Sequence, residues 1–226
     1  MKKRLITLAL CLAVAVPVFA QGKEDTRLAN SAEVLKQIVG DANLPVSVLN
    51  QADCVLVFPS VKKVAVGIGG SYGRGALICR TGADKTGKWG APAMYKLDQG
   101  SIGVQLGSTA TDFVLVIMNN KGAEQILNGK TKLGADAAAA AGPTGAAANG
   151  YNADAMKVDV LTYSRSKGLF AGVSLSGASM ETDDDANKAL YGKPLSASAI
   201  VDGGAAAPSA AQPLIGFLDS TSPAKK

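Results

Sequence analysis

The chain has 226 residues with 23 Lys and Arg against 18 Asp and Glu, a formal net charge of +5, no histidine and three cysteines. The absence of histidine removes the commonest general base and the commonest metal ligand, and a pair of separated cysteines cannot build a zinc site alone. No metal or cofactor is expected.

The first residues, MKKRLITLALCLAVAVPVFAQG, combine three positive charges, an apolar run from Leu5 to Val16 and a Val18-Phe19-Ala20 ending suited to signal peptidase. This pattern predicts an export signal over residues 1–20, cleaved after Ala20, and a periplasmic destination. The apolar run is shorter than the roughly 20 residues that span a bilayer. Leu10 precedes Cys11, which is not a lipoprotein signal. Removing Lys2, Lys3 and Arg4 leaves 20 basic and 18 acidic residues, so the excess charge belongs largely to the leader. A near-neutral mature chain argues against a nucleic-acid partner that depends on overall charge.

From Lys23 to Val39, Leu28, Ala32, Leu35 and Val39 recur at helical spacing, with Val34 and Ile38 widening the stripe. The helix ends at Gly40, and Asn30 or Ser31 could interrupt or cap it. Its charges are mixed rather than densely basic, which favours packing on the domain over lying on anionic lipid. A short helix is predicted from near Pro45 to before Asp53.

Strands follow. Cys54 to Phe58 is apolar on both faces, as in a strand covered on two sides. Pro59-Ser60 reads as a turn, and a second strand, Val64 to Tyr72, is expected to separate Cys54 from Cys79. Strands two apart lie about 10 Å from each other, beyond disulfide reach, so two buried thiols are expected. Thr81 to Lys88 reads as a hairpin loop with Trp89 opening the next strand. Ile102, Val104 and Leu106 alternate with small or polar residues, Thr111 to Met118 is apolar on both faces, and Lys121 to Leu127 has room for a helix ended by Asn128-Gly129. Val158 to Tyr163 and Leu169 to Leu175 suggest a hairpin through Ser164-Arg165-Ser166-Lys167-Gly168. Asp183 to Tyr191 reads as a helix halted by Gly192 and Pro194. Residues 205–226 read as an Ala/Pro/Ser-rich tail, in which Leu214, Ile215, Phe217 and Leu218 could dock.

The predicted fold is α+β: a strongly curved antiparallel sheet or small β-barrel of seven or eight short glycine-containing strands, with flanking helices, over residues 21–204. Glycines recur within the strands, and GVQLGS at 103–108 nearly repeats as GVSLSG at 172–177. Glycine weakens a strand unless the backbone bends sharply or something approaches it closely. Curvature and a ligand lying on bare backbone both fit.

Three apparent motifs fail on physical grounds. GIGGSYGRG (67–75) lacks the G-x-G-x-x-G register, the P-loop Lys-Ser/Thr and a following helix to hold phosphate. Ser60-Val61-Lys62-Lys63 with Lys85-Thr86-Gly87 imitates penicillin-recognising enzymes, but its lysine leads into a strand, and Ser164 to Lys167 matches the same S-x-x-K spacing. Asp183, Asp185 and Asn187 begin like a calcium loop, but Lys188 replaces the glycine. The remaining candidates are basic: Lys62, Lys63, Arg74, Lys130, Lys132, Arg165 and Lys167. Gathered at one end of the sheet, they would form a rim for phospholipid headgroups.

Five segments in order, ADCVLVFPSVKKVAVGIGGSYGRGALICR, GKWGAPAMYKLDQGSIGVQLGSTATDFVLVIM, LGADAAAAAGPTG, YSRSKGLFAGVSLSG and NKALYG, resemble the SYLF lipid-binding domain, also called the yeast-type actin-binding domain. The likeness covers roughly Arg27 to Gly203. It implies a non-enzymatic domain binding phospholipid or a membrane surface, phosphoinositides in eukaryotic members, and actin in some fungal relatives. The export signal makes cytoplasmic actin an unlikely partner. An envelope protein-interaction or scaffold domain is the competing expectation.

Overall fold

The computed structural model describes residues 18–41, 43–66, 68–102, 107–144, 158–167, 175 and 177–225. Among the described residues eight strands form one sheet: β1 (Cys54–Val66), β2 (Ile68–Cys79), β3 (Ala93–Ile102), β4 (Gly107–Ile117), β5 (Thr131–Lys132), β6 (Ala139–Ala141), β7 (Val160–Lys167) and β8 (Ser179–Thr182). Their order is β5-β8-β3-β2-β1-β4-β7-β6, and the sheet curls into a half-barrel. The α+β class and the curvature match the reading of the sequence. The sheet is mixed rather than wholly antiparallel, because β6 runs parallel to β7.

Among the described residues six α-helices accompany it: α1 (Val18–Gly40), α2 (Val46–Gln51), α3 (Asn120–Leu127), α4 (Asp184–Tyr191), α5 (Ala197–Ala199) and α6 (Gln212–Thr221). The stripe read along α1 is buried at Leu28, Ala32, Val34, Leu35 and Ile38, and Val39 packs at its margin. Each fully buried Leu or Ile contributes about 1.5–3 kcal/mol, enough to fix the helix on the sheet. Ser31 does not interrupt it, since its hydroxyl donates to the Arg27 carbonyl one turn back. Asp183 caps α4 by accepting from Ala186 N, and Gly192 ends it in the left-handed conformation at φ 71°. Among the described residues no helix is long and apolar enough to cross a membrane.

The sheet divides two apolar layers. Val55, Val57, Ala76, Ile78, Met94, Val114 and Val116 face α1, α4 and α6. Leu56, Phe58, Leu77, Tyr95, Leu97, Phe113 and Leu115 face the other side, where α3 and the 197–201 segment close the layer. This two-sided burial explains why the central strands read as unbroken apolar runs. Leu214, Ile215 and Leu218 of α6 are buried, the docking that these apolar positions allowed.

Two features of β1 differ from expectation, and they share a cause. Pro59-Ser60 is not a turn but a bulge within one 13-residue strand, where the pairing register shifts on both sides. Proline lacks an amide to give the ladder, and Ser60 takes φ 52°, so the extra length is absorbed without ending the strand. With β1 continuous, no strand lies between the cysteines. Cys54 and Cys79 are direct partners in the β1–β2 ladder, with Cα atoms 3.9 Å apart, and form a disulfide instead of the two buried thiols expected. The predicted Ser164 to Lys167 loop is likewise strand, paired along β4 from Ile117↔Val160 to Ala110↔Lys167. Val104 and Leu106, and most of the predicted 169–175 strand with Gly172, lie outside the described residues, whereas Gly177 lies within them at φ 81°.

The bulge also accounts for two glycines. A Cβ on Gly75 would stand 2.0 Å from the Val57 carbonyl oxygen, and one on Gly73 would stand 2.7 Å from Val61 Cγ2. Close approach of β1 thus requires bare backbone on β2 at both positions.

Candidate functional site

Strand alternation sorts the basic residues. On the face that carries α1, the row beyond the apolar layer runs from Glu181 through Lys96 and Arg74 to the bulge, then to Asp112 and Arg165. The next row holds Asp98, Tyr72, Lys62, Ala110 and, by register, Lys167. A groove of about 630 Å³ lies between these rows and α1. Lys62, Arg74 and Arg165 line it from the sheet, and Lys23, Arg27 and Gln37 line it from the helix.

The groove thus brings together three of the seven basic candidates. Lys63 alternates to the opposite face, opposite Ser71 and Thr109. Lys132 lies on β5 at the far edge of the sheet, with Lys130 just before it. Lys23 and Arg27 were missed because α1 carries mixed charge along its length. The clue available was local: both fall in the first turns of the helix, beyond its apolar stripe.

Each arginine has its own carboxylate. Arg165 Nη2 lies 3.2 Å from Asp112 Oδ2 and also donates to Gln37 Oε1 of α1. Asp112 Oδ1 accepts from the bulge amide of Ser60 at 2.9 Å. Arg74 Nη1 lies 3.3 Å from Asp183 Oδ2, and its Nε donates to the Tyr72 hydroxyl. That hydrogen bond, with the Asp183 charge behind it, raises the Arg74 pKa above its ordinary value. Arg27 pairs with Glu24 one turn away. Among the described residues Lys23 and Lys62 form no ion pair. A groove of guanidinium and ammonium groups around an exposed Tyr72 can receive an anion through charge-assisted hydrogen bonds.

The opposite end of the β1–β2 hairpin is closed. Arg80 is fully buried and hydrogen-bonds the carbonyls of Ala52, Gly87, Ser222 and Pro223 and the Ser222 hydroxyl. Its guanidinium lies 4.3 Å from the Trp89 ring centroid, and Trp89 Nε1 donates to the Ser222 carbonyl. Burial lowers the Arg80 pKa, opposed by the charges of Asp53 and Asp219. Lys225 closes the clasp on Asp53 at 2.6 Å. No group of three or more potential metal ligands occurs among the described residues.

These features define an α+β half-barrel: an apolar helix-covered face that ends in a polar groove, with a sealed opposite end. A family model described as Ysc84, Las17-binding protein actin regulator, matches residues 98–221, more than half of the chain. The chain belongs to this family, the SYLF domain family. It is 38% identical over 181 residues to an SH3 domain-containing protein of Schizosaccharomyces pombe, covering 78% of this chain and 41% of that protein. It is 31% identical over 214 residues to Protein YSC84 of Saccharomyces cerevisiae, covering 90% and 44%. With the human SH3 domain-containing YSC84-like protein 1 it shares 29% over 181 residues, covering 80% and 52%. The chain therefore spans about half or less of these relatives' lengths. None of the three names is that of an enzyme. The expectation that actin is an unlikely partner gains no support from these likenesses, since the family description itself names actin regulation.

Proposed function

We propose that the protein is an exported, non-enzymatic domain that binds phospholipid at the bacterial envelope, through the groove between α1 and the bulged sheet. The observation that carries this reading is the convergence of Lys62, Arg74 and Arg165 with Lys23 and Arg27 around one 630 Å³ groove. Export is supported by the leader and by the Cys54–Cys79 bond, since disulfides persist in oxidising compartments. A chain beginning at Gln21 is expected to co-sediment with anionic vesicles at low salt and to release them as salt rises. Lys62→Glu should weaken that binding about tenfold, since it reverses a charge at the groove. Lys63→Glu, on the other face, should leave it unchanged. Failure to co-sediment, together with absence of lipid in native mass spectrometry, would remove the reading.

A second reading, favoured by the description of the family model, is a protein-interaction or scaffold domain. It predicts specific partners in crosslinking, actin among those to be tried, and indifference to lipid.

A further inference from the structure

The list of basic side chains overstates the charge of the groove. Arg27, Arg74 and Arg165 each face a carboxylate whose side chain is nearly sealed from solvent: Glu24 at 6% exposure, Asp183 at 5% and Asp112 at 2%. These carboxylates cannot swing into water when a ligand arrives. Lys62 and Lys23 form no such pair among the described residues.

Asp112 is the most constrained of the three. One oxygen accepts from Ser60 N, holding a non-glycine residue at φ 52°, and the other accepts from Arg165. Arg165 is held in turn by Gln37, so Asp112 fixes both the floor of the groove and one wall. Its negative charge remains beside whatever binds there.

Resting on the phospholipid reading, we propose that Asp112 sets the charge selectivity of the groove: it positions Arg165 as a hydrogen-bond donor while cancelling its charge, so the groove takes a singly charged phosphodiester. Lys62 and Lys23, offset by Glu33 on the same lining, leave one positive charge to neutralise a phosphodiester, and the arginines hydrogen-bond it. A headgroup bearing further phosphate groups brings extra negative charge against Asp112, at a cost of about fivefold in affinity for each added charge held about 4 Å away in water.

The test is binding to phosphatidylcholine vesicles doped with phosphatidylglycerol or with phosphatidylinositol bisphosphate, matched in surface charge. The wild-type chain should bind the phosphatidylglycerol vesicles at least as tightly. Asp112→Asn retains an acceptor for Ser60 N, and should shift the preference about fivefold toward the bisphosphate. Gln37→Glu, at a half-buried helix position, adds a carboxylate beside Arg165 and should shift the preference the other way. It keeps the test available if Asp112→Asn does not fold, which thermal unfolding will report. A preference ratio unmoved by a folded Asp112→Asn, or by Gln37→Glu when Asp112→Asn does not fold, overturns the role of Asp112. Wild-type binding to both vesicle types, markedly tighter to the bisphosphate, overturns the selectivity while leaving the phospholipid reading intact. No wild-type binding to either removes both.

Discussion

The closed end of the β1–β2 hairpin and the groove use arginine in opposite ways. Arg80 is sealed among five neutral oxygens and an indole ring, with every one of those contacts fixed by the fold. Arg74 and Arg165 stand half-buried beside a groove, each tied to a carboxylate behind it but open on one side. A buried cation with complete partners stabilises; a cation held from one side remains available to a ligand. The difference lies in what surrounds the side chain, since the residue type is the same.

The largest test of this contrast is Arg80→Met. It strips the acceptors of Ser222, Pro223 and Ala52 of their donor, and should cost about 4 kcal/mol in urea unfolding. Lys62→Met at the groove, which removes a cation without an ion pair among the described residues, should cost markedly less. Next is the bond that locks the closed end. Reducing Cys54–Cys79, which encloses a separation of 25 residues, should lower stability by about 3 kcal/mol, read as the difference between oxidised and reduced unfolding curves. Between the two regions, Gly75→Ala should cost about 2–3 kcal/mol because its Cβ meets the Val57 carbonyl. Gly100→Ala, with nothing among the described residues within 4 Å, should be neutral or slightly stabilising in the same assay.

The smallest effect concerns pH. Asp159 is buried, which alone would raise its pKa, but the Ala138 amide, Lys121 and Asn119 outweigh burial and bring it below the ordinary carboxylate value. A lowered folded-state pKa gives stability that is complete above the unfolded value and disappears as pH falls through the folded one. Asp159→Asn should therefore cost about 1 kcal/mol at neutral pH and flatten the acid limb of the stability profile below about pH 4.

Periodicity made much of this architecture readable. The stripe of α1, the doubly apolar strands and the extent and stop of α4 were all visible in residue spacing, because each is a local consequence of the side chains present. Pro59-Ser60 was misread because the same pair serves a turn and a bulge, and only the strands on either side decide which. The disulfide was lost with it, since one misplaced turn moves Cys79 to a different strand. The polar Ser164 to Lys167 stretch looked like loop because its strand borders a groove instead of a core. Within the site, the basic residues stood out, while their counter-charges did not. Asp112 opens the apolar run TDFVLVIM and Asp183 sits at a helix cap, and nothing in their spacing announces that both turn toward arginines.

The Arg80 clasp also constrains when the molecule can become native. Its contacts with Ser222 and Pro223 span 142 and 143 residues of chain, so the guanidinium stays without these partners until residues 222–223 emerge. Closing that end is a late event governed by loop closure over most of the sequence, which slows folding. Completion of the fold is thereby tied to completion of synthesis through these residues.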